Sequence, residues 1–232
     1  MGRSLDLSVQ SGGDSESRTQ RTIEQGLTDR VCGGDEHALA DLFAVHRPRL
    51  RKMVAFRMDN QLRGRVDPSD VLQEAFISLA SRIDEFQEKN KTMSFFVWAR
   101  LITTERLLKT HRRHITTQKR DARRELSIDR QLGSDATSMS IAAALLQPGT
   151  SVGGREIRNE QREALMKLLD EMDATDREVV ALRVFEGLTN GEVAEVLGLT
   201  KQTASRKFIG AVQQLRTAME CVPGLSEQFL NE

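Results

Sequence analysis

An all-α protein built as two small helical domains joined by a flexible linker is what the sequence predicts, on three observations. Apolar residues recur at three- and four-residue spacing from Glu36 to about Arg124, and again from about Glu156 to Met219. Between those blocks Gly, Ser, Thr and Pro cluster in LGSDATSMS and LLQPGTSVGG, the composition of a tether. No period-2 run of β-branched residues is long enough to argue for a sheet. Of the 232 residues, 38% are hydrophobic and 4% aromatic, which suffices for modest helical cores and argues against one large enzyme core. The expected layout is a disordered tail over 1–27, a first domain over 28–118, a linker over 119–157, a second domain over 158–220 and a C-terminal tail over 221–232.

The tail is rich in Ser, Gly, Gln and charge, and buries too little apolar surface to offset the entropy of ordering it. No apolar run approaches the roughly 20 residues of a membrane helix, and MGRSLDLSVQSGGDSESRTQR lacks a secretory signal's apolar stretch. A cytoplasmic protein without membrane insertion is expected. Cys32 and Cys221 lie near opposite ends with no CxxC or Cys/His spacing, so neither a disulfide framework nor a zinc site is indicated. His111 and His114 are spaced i, i+3, but no nearby acid completes a metal-binding set. No P-loop, dinucleotide glycine pattern or GxSxG appears. No catalytic residue, metal, cofactor or enzymatic activity is expected.

The charges balance, 34 Lys and Arg against 34 Asp and Glu, yet they are segregated along the chain. Asp67, Asp70, Glu74, Asp84, Glu85 and Glu88 face one base, Arg82. Arg100, Arg106, Lys109, Arg112, Arg113, Lys119, Arg120, Arg123 and Arg124 then face only Glu105 and Asp121. In the acidic stretch, Asp67-Pro68-Ser69-Asp70 opens a helix, with Asp as cap, Pro at the first position and an acid in the first turn. Leu72, Ala75 or Phe76, Leu79, Ile83 and Phe86 form its buried stripe, which leaves Asp70, Gln73, Glu74 and Glu85 for partners or water. In SFFVWARLITTERLLKTHRRH, Phe95, Phe96 and Trp98 directly precede a basic helix. Two of these rings are expected in the core; the alternative is stacking on unpaired bases while arginines grip phosphate.

In the second block, Thr175 with Glu178 reads as a capping box before Val179, Val180, Leu182, Val184 and Phe185, and Gly187 ends that helix. Thr189 with Glu192 makes another box, with Leu188 and Val193 as a hydrophobic staple, and Gly198 stops the helix after about two turns. Thr200 caps a third helix, whose inner face carries Ala204, Phe208, Ala211 or Val212, and Leu215. Lys201, Gln202, Thr203, Ser205, Arg206 and Lys207 face outward with no acid among them. A short helix, a glycine-bearing turn and a longer helix with a basic N-terminal half is a helix-turn-helix, which places side chains against base edges and phosphates in the major groove.

These stretches together resemble the sigma factors of bacterial RNA polymerase, and among them the small extracytoplasmic-function (ECF) type. DPSDVLQEAF is similar to the family's D-x-x-Q-E-x-F helix, with Asp70, Gln73, Glu74 and Phe76 in register. FFVWARLITTERLLKTHRR is similar to its F-x-x-W-L-x-x-I-A-R-N segment, with Phe95, Trp98, Ile102, Arg112 and Arg113 matching. TDREVVALRVFEGLTNGEVAEVLGLTKQTASRKFIGAVQQLR looks like its fourth conserved region. The likeness covers roughly residues 36–115 and 160–218.

The resemblance implies a region 2-like helical bundle and a region 4-like helix-turn-helix in a promoter-specificity subunit of RNA polymerase. Asp70, Gln73, Glu74 and Glu85 would dock on the clamp helices of the polymerase β′ subunit. Phe95, Trp98, Glu105, Arg106, Lys109, Arg112 and Arg113 would read and open the −10 element of promoter DNA. Thr200, Lys201, Gln202, Thr203, Ser205, Arg206 and Lys207 would bind the −35 element. An anti-sigma protein is a candidate further partner. Where the family commonly has Ala-Arg-Asn, this chain has Thr103, Thr104 and Glu105, and Lys109 replaces a usual Asp. Relatives read a flipped −10 base at the Asn position, so Glu105, which only accepts hydrogen bonds, is expected to favour a base with an amino donor such as cytosine. TKQTASRKF likewise departs from the common S-x-G-T-V-K-S-R-L, so the −35 sequence does not carry over. The rival reading, a helix-turn-helix regulator that does not bind polymerase, accounts for residues 160–218 but not for the acidic helix followed by aromatics and paired arginines.

Overall fold

The computed structural model describes residues 11–116, 134–146 and 155–220, and every regular element among them is helical. Helix α1 (Ser11–Cys32) ends in a turn through Gly33 and Gly34, the latter at φ +89°, where a side chain would be strained. Asp35 then caps α2 (Glu36–Arg57), its carboxylate accepting from the N–H groups of His37 and Ala38. After the short α3 (Asn60–Arg63) come α4 (Pro68–Ala80), α5 (Ile83–Lys89) and α6 (Phe95–Thr116). Helices α2, α4 and α6 pack on one another and α1 lies along α2. Leu42, Leu50, Met53, Leu72, Leu79, Phe86, Trp98 and Ile102 fill the space between them.

The C-terminal block comprises α7 (Ser134–Leu145), α8 (Arg155–Glu171), α9 (Ala174–Val180), α10 (Asn190–Leu197) and α11 (Lys201–Glu220). Helix α9 runs straight into a single π-helical turn, Ala181–Phe185, closed by the Glu186 N–H donating to the Ala181 carbonyl at 3.0 Å. Leu165, Leu169, Val180, Ala211 and Leu215 make the core of this block, and Ala211 rather than Val212 takes the inner position on α11.

Several expectations are corrected. The chain is helical from Ser11, within the stretch expected to be a disordered tail; residues 1–10 lie outside the described ones. Val31 is buried on α2 and Leu27 packs beside it, so the helix is anchored at its C-terminal end. Local bonds such as Gln25 to Asp29 and Thr28 to the Glu24 carbonyl support the turns before it. The expected linker contains α7, with Ser138, Ile141 and Ala142 fully buried and Thr137 nearly so. Small residues that read as tether chemistry here allow close helix packing. The rest of that linker, with Lys119, Arg120, Arg123 and Arg124, and the tail with Cys221 lie outside the described residues.

The cap of α9 is Asp173 and not Thr175: the Asp173 carboxylate accepts from the N–H groups of Thr175 and Asp176. Two good cap residues stand two positions apart, and the earlier one prevails. Glu178, freed from capping, reaches the N-terminal block instead. The two blocks are in direct contact. Val179, Leu182, Leu188, Val193 and Ala194 belong to the same buried cluster as the α2–α6 core, and the rings of Phe56 and Phe185 stack at 4.9 Å.

Candidate functional site

The start of α4 follows from its sequence. Asp67 accepts from the Ser69 N–H at 2.7 Å, and the Asp70 carboxylate takes the Asp67 N–H at 3.4 Å. The buried positions Val71, Leu72, Ala75 and Leu79 turn Asp70 and Gln73 to solvent and leave Glu74 half-exposed. Ile77 lies one turn beyond Gln73 and is 69% exposed, the most open large apolar side chain among the described residues. An isoleucine outside the buried stripe is the sequence signal that marks it. The α4 face is therefore polar and acidic from Asp70 to Glu74 and apolar at Ile77, toward its C-terminal end. Glu74 accepts from the Arg113 Nη1 at 3.3 Å, which ties this face to the basic end of α6.

Glu85 sits elsewhere, on α5. Arg82 holds it through two bonds of 2.9 and 3.0 Å, and the guanidinium keeps the Glu85 carboxyl below its usual pKa. The same Arg82 donates from Nη1 to Glu105 at 2.7 Å. One residue predicted to dock on protein and one predicted to read a base thus share a partner. The lone base within the acidic stretch was the signal for it. Glu105 keeps its second oxygen unengaged by Arg82 and its side chain is 45% exposed.

Phe95, Phe96 and Trp98 are all buried, at 4%, 2% and 1% exposure. Phe86 packs edge-on to Phe95 at 5.3 Å and against Trp98 at 5.0 Å. This corrects the assignment of Phe95 and Trp98 to contact with −10 DNA: in this arrangement neither ring is open to a base. Residues 95, 98, 99 and 102 share one helical stripe facing the core, and helical spacing outweighs the nearby basic run as a guide to their role. Lys109, Arg112 and Arg113 are exposed and Arg106 is half-buried, so the outward cations of α6 lie in its C-terminal half.

Around the helix-turn-helix the local signals hold. The Thr189 hydroxyl accepts from the Glu192 N–H at 3.2 Å while Glu192 accepts from the Thr189 N–H at 2.7 Å. Gly198 adopts φ 63°, ψ 33°, the left-handed conformation that ends α10. The Thr200 hydroxyl accepts from the Thr203 N–H at 3.1 Å and lies 2.8 Å from the Thr203 hydroxyl. Lys201, Gln202 and Arg206 are exposed, while Thr203 and Ser205 are partly covered. Lys207 is turned away from this face. Its ammonium bonds Asp176 at 2.8 Å and lies 3.6 Å from Asp173, and Asp176 above all raises its pKa.

His46 is buried where the two blocks meet, with the rings of Phe95 and Phe96 both 5.6 Å away. Burial first, then Arg49, pushes its pKa down to about 4, against the opposite pull of Glu192. The folded state therefore favours the neutral ring. That contribution is complete above pH ~6.5 and is lost as pH falls toward 4. Between pH 7 and 4.5, wild type is expected to lose about 2 kcal/mol more unfolding free energy than His46→Leu, measured by urea titration at each pH.

The family model described as ECF sigma factor matches residues 22–220, most of the chain. The chain belongs to the ECF sigma factor family. Over 95 residues this family member is 33% identical to the RNA polymerase sigma factor SigF of Mycobacterium tuberculosis (strain CDC 1551 / Oshkosh), and equally to that of strain ATCC 25618 / H37Rv. The matched stretch covers 41% of this sigma-family chain and only 35% of each of those relatives. A solved structure, that of CnrH in complex with the cytosolic domain of CnrY, aligns with a TM-score of 0.46 and 19% identity, over 85% of this chain and 97% of that one. Among the described residues, no helix of this family member is long and apolar enough to cross a membrane.

Proposed function

We propose that the chain is a promoter-specificity subunit that docks on core RNA polymerase and directs it to promoters bearing particular −10 and −35 elements. The family match across residues 22–220 carries this reading, because it takes in both the acidic α4 face and the helix-turn-helix. Asp70, Gln73, Glu74 and the exposed Ile77 form the surface for the β′ clamp helices. An acidic face is repelled by DNA and suits a protein partner, and one apolar side chain at its C-terminal edge adds desolvation to charge complementarity. The capped, acid-free first turns of α11 present Lys201, Gln202 and Arg206 to the −35 major groove. Arg112, Arg113 and Lys109 supply phosphate contacts near the −10 element, whose capture releases counterions.

Run-off transcription with purified core enzyme on a genomic promoter library tests the proposal: specific starts support it, and a chain that binds core without directing initiation ends it. In the same assay Glu105 is expected to set one −10 position. Its Arg82-held carboxylate leaves one oxygen to accept from an exocyclic amine, so Glu105→Asn is expected to change the preferred base there. An identical −10 profile for wild type and variant would remove Glu105 from base reading.

A further inference from the structure

At the junction of α4 and α5, the Arg82 guanidinium is shared between two carboxylates. Its Nε and Nη2 donate to the two oxygens of Glu85 at 2.9 and 3.0 Å, and its Nη1 donates to Glu105 on α6 at 2.7 Å. The fork on Glu85 fixes the plane of the guanidinium. Glu85 and Glu105 take three of the five N–H donors that a guanidinium carries, which leaves one on each terminal nitrogen. Glu105 in turn keeps one oxygen that Arg82 does not engage. An acceptor oxygen and a donor N–H thus stand side by side, held in register by the bond between their own side chains. Lys89 Nζ lies 3.9 Å from Glu85, so Lys89, Glu85, Arg82 and Glu105 alternate in sign and carry no net charge together. A carboxylate neutralised in this way can face a polyanion.

The rest of that face of α6 suits the same kind of ligand. Leu101, one turn before Glu105, is 45% exposed and adds little to the core. Lys109, one turn after it, and Arg112 beyond are exposed. At about 100° per residue, positions 101, 105 and 112 fall within about 40° of one another around the helix. One stripe therefore presents an apolar side chain, then the acceptor and donor pair, then cations. An unpaired nucleotide offers a partner to each: a flat face, a base edge and a phosphate. A base inside a duplex has its Watson–Crick edge occupied, whereas a base drawn out of the stack presents it.

We propose that Arg82 is a specificity-determining residue that reads a base jointly with Glu105, the two forming an acceptor and donor pair for the Watson–Crick edge of one unpaired cytosine or adenine in the −10 element. On both of these bases an exocyclic amine donates beside a ring nitrogen that accepts, which matches Glu105 followed by Arg82. Thymine and guanine carry a carbonyl in place of the amine and an N–H in place of the accepting nitrogen, so like opposes like at both points. Glu105 alone would not separate the two classes, because a lone carboxylate also accepts from the ring N–H of thymine or guanine. The fixed guanidinium supplies the missing polarity. This inference rests on the proposed promoter function and on Glu105 facing the −10 element, and the experiment below lets the two fail separately.

The test uses holoenzyme assembled from purified core polymerase and the full-length chain, in run-off transcription on a promoter library. The −10 position whose preference changes in Glu105→Ala is the one facing the pair, and there wild type is expected to favour cytosine or adenine over thymine and guanine by about tenfold. Two analogues of the preferred base are then placed at that position, one lacking the exocyclic amine and one with C–H in place of the accepting ring nitrogen. Wild type is expected to lose about tenfold on each. Arg82→Met is expected to become indifferent to the ring substitution while still sensing loss of the amine, and Glu105→Ala to show the reverse. A residue that only braced the fold would not yield this reciprocal pattern. Ratios between templates do not depend on how much holoenzyme forms. If Arg82→Met does not fold, Glu85→Gln decides, since it loosens the hold on the guanidinium without removing a contact to the base and is expected to weaken the response to the ring substitution alone. Wild-type response to the ring substitution in Arg82→Met, a preference for thymine or guanine at that position, or no position that responds to Glu105→Ala would overturn the inference and leave promoter-directed initiation standing. A chain that binds core and starts transcription nowhere would overturn both.

Discussion

Glu186→Ala is expected to cost about 3–5 kcal/mol, the range typical of breaking a buried ion pair from one side. The Glu186 side chain is 0% exposed, and its two oxygens receive N–H groups from both Arg57 and Arg100. Removing it strands two cations. Arg57 retains Glu178 and the Thr137 hydroxyl, while Arg100 retains only Glu178 at 3.9 Å among its ion pairs. Burial works to lower the pKa of Arg57, but Glu186 and then Glu178 overcome it and hold the guanidinium more firmly charged than usual. A guanidinium stays protonated at neutral pH even without that partner, so the arginine keeps its charge after the glutamate is gone, and the cost is felt as loss of structure. Urea unfolding followed both by far-UV circular dichroism and by the scattering radius measures it. An expansion of the chain before helix is lost would show that the cost falls on contact between the blocks rather than on either core. Glu186→Gln, which keeps the acceptor and the shape, is expected to cost about half as much. A value below 1 kcal/mol for Glu186→Ala would mean that the cluster contributes nothing the solvent cannot replace.

Trp98→Ala is expected to cost a comparable 3–5 kcal/mol, here from the N-terminal core itself. The indole is among the largest fully buried side chains, packed on Phe86 at 5.0 Å and near Phe95 at 5.9 Å. Its deletion leaves a cavity between α4, α5 and α6 that rigid helices cannot close. Trp98→Phe is expected to recover most of the loss. Because Trp98 is the only tryptophan in the chain, circular dichroism rather than intrinsic fluorescence has to follow the transition. A Trp98→Ala protein that melts like wild type but binds DNA more weakly would restore the ring to a base-stacking role and contradict its place in the core.

Signals carried within three or four residues were legible before the structure. Asp67-Pro68, the Thr189–Glu192 box and Gly198 each act on the backbone of their own turn, so each could be read from neighbours alone. The Thr175 cap failed because a second acceptor, Asp173, lay within reach of the same N–H groups, and pattern alone does not rank them. The outward face of α11 was legible except for Lys207, whose partners come from the first turn of α9, 31 residues earlier. Phe95 and Trp98 carried two signals at once, helical spacing toward the core and adjacency to cations, and packing decided between them. Contact between the blocks was not legible at all. Arg57 and Glu186 are 129 residues apart, and nothing local marks either as buried. A segment of Ser, Thr and Ala likewise gives no hint of its role until a partner helix is present to pack against, as α7 shows.

The wide turn at Ala181–Phe185 sets an angular phase. Each α-helical residue advances the chain by about 100°, so the extra residue held in that turn rotates everything after it by one such step. It is this offset that aims Phe185 at Phe56 and Glu186 at the two guanidiniums. Excising one residue there, with every side chain of the cluster retained, would swing the carboxylate off its target; the fastening is encoded as much in a spacing as in the charges it joins.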